Sequence, residues 1–153
     1  MDTEWIILAD HAEVINGKLY TMGGGWETLT VNALPAPQHF AIAASYLVSW
    51  NETNQRHTVT IELMDEDGKS FVRVDGELEV GRPPGIPLGH TQRLMLAVGV
   101  QHTFDKLGTY AIVSRIEEQE SRKIAFRVVP GPQLIAQQMA RPGRGESDTP
   151  EAT

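Results

Sequence analysis

An all-β fold, with two antiparallel sheets packed as an immunoglobulin-like or jelly-roll-like β-sandwich, is the architecture this 153-residue chain predicts. Three observations lead there. Apolar residues recur at period two over most of the chain, turn-forming residues interrupt them at intervals of roughly 8 to 12 residues, and no internal stretch carries a helical period. Short strands with frequent turns favour two stacked sheets over an α/β fold, with a closed barrel as the competing arrangement.

The elements follow in order. Residues 5–14 and 18–22 are β-prone and flank Asn16-Gly17, the dipeptide that supplies positive φ angles to a tight hairpin turn, so the chain should open with a hairpin. "FAIAASYLVSW" places Phe40, Ile42, Tyr46, Val48 and Trp50 on one face and Ala41, Ala43, Ser45 and Ser49 on the other, a third strand. "HTVTIELMDEDGKSFVRV" alternates Val59, Ile61 and Leu63 with Thr58, Thr60 and Glu62, then turns at Asp67 and Gly68 into a second hairpin. "QRLMLAVGVQHTF" puts Leu94, Leu96, Val98, Val100 and Phe104 on one face, and "GTYAIVSRIEEQESRKIAFRVV" supplies two more strands, about eight in all. "VGRPPGIPLGH" reads as a long crossing between the sheets, held extended by its prolines.

Residues 1–129 form the predicted sandwich domain, and 130–153 a Pro/Gly-rich tail too poor in apolar residues to offset its own ordering. Within that tail, residues 132–140 can form two helical turns with Pro132 at the first position and Leu134, Ile135 and Met139 near one face.

Composition excludes several functions. The absence of cysteine removes disulfides, thiolate metal sites and a cysteine nucleophile. A net charge of -7 with no basic cluster argues against nucleic acid and anionic membranes as partners. The first residues carry acids where a signal peptide carries positive charge, and the apolar run from Trp5 to Ala9 is too short to span a bilayer, so a cytoplasmic location is expected.

No motif announces chemistry. "GGGWET" at residues 23–28 lacks the Gly-Lys-Ser/Thr ending of a phosphate loop and is expected to make a bulge or bend in a strand, with a ligand-facing gap as the alternative. "GKS" at Gly68–Ser70 has Leu63 where the phosphate loop needs its first glycine, and three acids before it. The same acids do not make a calcium loop, because Lys69 would stand at a ligand position and Gly76 where the bidentate glutamate belongs. The five histidines, His11, His39, His57, His90 and His102, are never at zinc-site spacing. No metal, no cofactor and no catalytic residue are therefore assigned.

"SWNETNQRH" is the richest segment. Trp26, Trp50, Asn51, Glu52, Asn54, Arg56 and His57, with Arg82 from the proline-rich crossing, form the candidate binding set. The competing expectation is that these side chains satisfy their own loop, with Glu52 and Arg56 pairing locally, and that both tryptophans pack in the core or its rim.

The stretches "ILADHAEVINGKLYTMGGGWETL", "SWNETNQRHTVTIELMDEDGK", "GELEVGRPPGIPLGHTQRLMLA" and "LGTYAIVSRIE", spanning about residues 5 to 129, together resemble a family of small bacterial proteins grouped only as a domain of unknown function. The sequence departs from that family's Asp-Gly turn between the last two strands, where "EEQES" stands at Glu117–Ser121. The resemblance implies a single domain and no particular activity.

The function expected first is a non-catalytic β-sandwich that binds another protein or copies of itself, because the strand at residues 40–50 is uncharged and has small or apolar residues on both faces. A homo-oligomer is expected, through residues 40–50 with Ala43 and Leu47 as candidate contacts, or through the two-faced first strand at residues 5–9. The alternative is a small-molecule or carbohydrate-binding module using Trp26, Trp50 and the loop at 51–57, and the third is a hydrolase whose site the sequence does not display.

Overall fold

In the computed structural model, which describes residues 1–141, nine strands and one short helix are present among the described residues. They are β1 (Asp2–Ile15), β2 (Lys18–Gly24), β3 (Thr28–Val31), β4 (Ala36–Val48), β5 (Arg56–Asp65), β6 (Ser70–Glu79), β7 (Gln92–Phe104), β8 (Gly108–Ile116), β9 (Gln119–Pro130) and helix α1 (Pro132–Ala140). A single 3₁₀ turn, Trp50–Glu52, follows β4. One sheet has the order β2-β1-β4-β7 and the other β3-β9-β8-β5-β6, and the two pack face to face as an all-β sandwich.

The second sheet is mixed, which corrects the wholly antiparallel expectation. β3 runs parallel to β9, with Thr28 beside Arg127 and Val31 beside Pro130. Alternation in a sequence reports which face a residue takes, not which distant strand lies beside it. This four-residue strand adds the ninth element and finds its partner about a hundred residues away.

The local turns follow turn chemistry. Asn16 (φ 52°) and Gly17 (φ 73°) close the β1/β2 hairpin, with Ile15 facing Lys18. The β5/β6 turn holds Gly68 at φ 80°, and the Asp65 carboxylate accepts the backbone N–H groups of Asp67 and Lys69, both at 2.9 Å. Glu117 (φ 51°) and Glu118 (φ 66°) occupy the two-residue turn between Ile116 and Gln119 where the resembled family has Asp-Gly. This left-handed geometry is unfavourable for a glutamate. Here the Glu117 carboxylate accepts both the N–H and the hydroxyl of Thr58 at 3.2 Å, and Arg73 donates to Glu118 at 3.2 Å. Side-chain bonds thus hold a turn that glycine usually makes.

The glycine stretch ends β2 and turns the chain out of the sheet. Gly23 (φ 60°) and Gly25 (φ 85°) take conformations that side-chain-bearing residues rarely adopt. The Gly25 N–H donates to the Leu8 carbonyl at 2.7 Å, and the chain then crosses to β3. The crossing delivers Trp26 to the core, edge-on to Phe40 (centroids 5.7 Å apart) and Phe126 (6.0 Å). The stretch is a bend, and its tryptophan plugs one end of the sandwich.

Between the sheets, Ile6 and Leu8 of β1, Phe40, Ile42, Ala44 and Tyr46 of β4, Ile61 and Leu63 of β5 and Ile112 of β8 form the dry interior. Phe104, Tyr110 and Phe126 add an aromatic cluster at the Trp26 end. One buried polar node ties the sheets together: Ser114 of β8 bonds Thr3 of β1 at 2.9 Å and the Tyr46 hydroxyl at 3.3 Å. Burial pushes the Tyr46 hydroxyl above its usual pKa, so it stays a neutral partner in that node.

α1 forms where the sequence places it, with Pro132 at its first turn. Beyond residue 129 the chain still touches the sandwich, because Leu134 joins the core and docks the helix on it. Leu134 alone turns inward, while Ile135 and Met139 face out, 43% and 82% exposed. The expectation of a mobile tail otherwise falls on residues 142–153, outside the described residues.

Gly23→Ala and Gly25→Ala should each destabilise the fold by about 1–2 kcal/mol through their positive φ angles. Gly24 has an ordinary φ and room for a methyl group, so Gly24→Ala should leave the urea midpoint unchanged or slightly raised. Equal melting of all three variants would contradict the assignment of the bend to Gly23 and Gly25.

Candidate functional site

The two outer faces of the sandwich differ in chemistry. On the five-stranded sheet, outward side chains pair with one another: Thr60 donates to Asp75 at 2.8 Å, Arg73 bridges Asp75 and Glu118, and Arg115 meets Glu62 at 3.5 Å. On the four-stranded sheet the outward residues around the middle of β4 are apolar or small, with the charged and polar ones towards its ends. β4 contributes Ala41, Ala43 and Ser45, all buried, between half-buried Trp5 and Ile7 of β1 and half-buried Met95 and Ala97 of β7.

β4 is an interior strand, paired with β1 on one side and β7 on the other, so residues 40–50 offer no free edge. Ala43 is solvent-inaccessible within the single chain and presents no surface to another molecule. Leu47 is half-buried and keeps some of its surface.

Exposed apolar surface gathers instead on the first hairpin. β1 pairs with β4 only as far as Ala9, and from Asp10 to Ile15 its sole strand partner is β2. Alternation then sends His11, Glu13 and Ile15 to the face that Trp5 and Ile7 occupy. Their cross-strand neighbours are Met22, Tyr20 and Lys18. Ile15, Tyr20 and Met22 are 49%, 54% and 71% exposed. The outer edge of β2 also carries backbone groups that pair with no strand among the described residues. Its only charged residue is Lys18, and it has no proline.

The other three edges are defended. β6 carries Arg73, Asp75, Glu77 and Glu79, β3 is four residues long, and β7 lies against β6 where the sheets close on that side. Sequence reasoning read the hairpin but not its outward row. The signal was present in the alternation of "KLYTM" against "HAEVI", once the turn at Asn16-Gly17 fixes which residues face each other.

At one side of the same sheet a β-bulge between Thr3 and Trp5 turns the Glu4 side chain outward. Glu4 receives Nε and Nη2 of Arg93 at 2.6 and 2.7 Å and the Ser45 hydroxyl at 2.7 Å. The Arg93 fork, followed by Ser45, holds its carboxyl down at about 2.

The candidate binding set from the sequence is divided. Trp26 touches Phe40 near the start of β4, whereas Trp50 lies two residues beyond its end. Eight extended residues from Phe40 to Val48 span roughly 26 Å, so the two rings stand at opposite ends of the sandwich and share no site.

Around Trp50 the structure does bring the set together, as a cluster that satisfies itself. The Arg82 guanidinium lies over the Trp50 ring at 4.0 Å, donates to the Trp50 carbonyl at 2.8 Å and to the Thr53 hydroxyl at 2.7 Å. The Asn51 carbonyl accepts from Gln55 at 3.0 Å, and Asn54 (φ 59°) bonds Val80 through its backbone N–H. Nε2 of buried His57 donates to the Glu52 carbonyl at 2.8 Å, and Nδ1 lies 3.3 Å from Glu117. Glu52 accepts from Ser49 and from the α-amino group of Met1, which brings its carboxyl to about 2.

Glu52 and Arg56 do not pair. Arg56 faces across to Glu77 and Glu79 at 4.0 and 3.9 Å, because it opens β5 directly opposite Glu79 of β6. The cluster staples the 81–91 crossing to the end of β4 and occupies the Arg82, Glu52 and His57 side chains, while the side-chain amides of Asn51 and Asn54 take no part in it. Among the described residues no group of three or more metal-ligating side chains converges, and no helix is long and apolar enough to cross a membrane.

Residues 4–129 match a family described as a family of unknown function (DUF6941). The chain belongs to that family. The match begins at Glu4 and closes at Val129, so it takes in the hairpin, the apolar outer face and the Trp50–Arg82 staple but not α1. No curated protein matches the chain at a significant level.

Glu4 supplies a pH test. Its folded-state pKa is depressed to about 2 from 4.5, so its contribution to stability is fully present above about 4.5 and is lost as pH falls toward 2. Wild type should therefore exceed Glu4→Gln in urea midpoint at pH 6, and the gap should close between pH 4.5 and 2. A gap that is constant across this range would show that the Arg93 pair contributes nothing.

Proposed function

We propose that this chain is a non-catalytic assembly module that binds a second copy of itself through the outward face and free edge of the β1/β2 hairpin. The observation that carries the reading is the row of Ile15, Tyr20 and Met22, large apolar side chains exposed on a strand pair whose outer edge has almost no charge. A two-stranded ribbon with an open apolar face is marginal in water on its own, and an apolar cover stabilises it. Two β2 edges related by a twofold axis can pair antiparallel and turn two four-stranded sheets into one continuous sheet, with Tyr20 and Met22 of each copy meeting across the axis.

A different protein seated on the same face is the second reading, favoured by the extension of apolar character onto Trp5 and Ile7 beyond the edge itself. The Trp50–Arg82 cluster weighs against the small-molecule alternative at that end, since the Arg82 guanidinium that would meet a ligand is already bonded to Thr53 and the Trp50 carbonyl.

Light scattering at about 100 μM should give a dimer mass for wild type. The double variant Tyr20→Glu, Met22→Glu should give the monomer mass, with melting within a few degrees of wild type because both side chains lie outside the core. A wild type that is monomeric at that concentration contradicts self-assembly, and a double variant that stays dimeric moves the interface elsewhere.

A further inference from the structure

The closed side of the sandwich, away from β2, holds a cleft that no part of the foregoing uses. It has a volume of about 520 Å³, lies between the β5/β6 turn and the β7–β8 corner, and is within the size range of small-ligand sites. Its wall is aromatic: the Phe71 and His102 rings lie 4.9 Å apart, with Tyr110 6.1 Å from Phe71. Its rim is acidic, with Asp65, Glu66, Asp67 and Asp105 outnumbering Lys69 and Lys106.

Both sides of the cleft are fixed in place. The Asp65 carboxylate is pinned by two backbone N–H groups of its own turn, and the Tyr110 hydroxyl donates to the Lys106 carbonyl at 2.7 Å, which sets the β7–β8 corner. Burial lowers the His102 pKa against the opposing pull of Asp105, so the imidazole stands as a neutral aromatic surface at pH 7.

One cation already tests this surface. The Lys69 ammonium sits over the Phe71 ring, 5.3 Å from its centroid, at the mouth of the cleft. Lys69 is exposed and belongs to a turn, so it can leave without disturbing either sheet. An aromatic wall with an excess of carboxylates repels anions, gives a neutral ligand no charge to answer, and rewards a positive group on an apolar stem.

We propose that this cleft is a binding site for an organic cation, an ammonium or guanidinium on a short aliphatic chain, which displaces Lys69 from Phe71 and lies between that ring and the Asp65 and Asp105 carboxylates. A free amine and a lysine or arginine side chain of a polypeptide share this chemistry. The site is separate from the β2 interface, so either proposal stands if the other fails.

The test is a titration of the full chain, followed by amide NMR, with n-butylguanidinium, n-butylammonium and the neutral isostere n-butanol. A blocked Ala-Arg-Ala tripeptide completes the set. The cations should produce saturable shifts at Lys69, Phe71, His102 and Asp105, with half-saturation at least about tenfold below that of n-butanol, the factor a partly desolvated cation–π contact supplies. Lys69→Gln should tighten cation binding by about threefold or more, because it removes the internal competitor, and Asp105→Asn should weaken it by a similar factor. Both positions are exposed, so neither substitution endangers folding.

Tripeptide binding equal to that of n-butylguanidinium identifies a side chain as the natural occupant, and binding tenfold weaker identifies a free amine. The proposal is overturned if n-butanol binds as well as the cations, if no cation saturates the site below about 10 mM, which is weaker than about 3 kcal/mol of binding, or if Lys69→Gln weakens binding.

Discussion

Everything in this fold depends on β4 being dry on both faces. Its inward residues, Phe40, Ile42, Ala44 and Tyr46, meet the opposite sheet, and its outward residues, Ala41, Ala43 and Ser45, are buried between β1 and β7. A strand in that position tolerates no charge, and residues 40–48 contain none. Its backbone is bonded on both sides, so the four-stranded sheet is organised around it. The polar node of Tyr46, Ser114 and Thr3 then fixes how that sheet sits on the other, since slipping either sheet by one residue would leave three buried hydroxyls without partners.

That constraint also explains where surface is left over. β1 follows β4 only to Ala9, and past that point, among the described residues, no third strand hydrogen-bonds to the first hairpin, although β2 still touches β7. The five-stranded sheet covers its outward face with ion pairs and its β6 edge with charges, which is how a sheet avoids unwanted partners. The β1/β2 hairpin does less of both, with the His11–Glu13 contact at 3.3 Å on its outward face and Lys18 as the one charged residue of β2. It keeps Ile15, Tyr20 and Met22 outward and leaves one nearly uncharged edge. A protein that defends three edges and leaves the fourth open has one direction in which to add a strand.

The elements were legible in the sequence because each hairpin turn carries its own chemistry and each strand its own alternation. Asn16-Gly17, Asp67-Gly68 and Pro132 placed a turn, a turn and a helix start where the structure has them. Non-local facts were not legible. The parallel pairing of β3 with β9, the docking of Leu134 and the interior position of β4 depend on which distant segments become neighbours, and alternation within a segment is silent about that. The candidate binding set divided for the same reason: Trp26 and Trp50 are close in character but lie at opposite ends of β4. The Phe71–His102 cleft was missed because its wall comes from β6 and β7, more than thirty residues apart in the chain and in different sheets.

Amide hydrogen exchange along β2, measured as a function of protein concentration, tests the central claim most directly. The N–H groups of Lys18–Gly24 that point away from β1 have no strand partner among the described residues, and in a paired dimer they are bonded to a second β2. The account predicts that their protection rises with concentration and reaches that of interior strands when the dimer is saturated. Fast exchange of those same groups at every concentration, beside a protected β4, would contradict it.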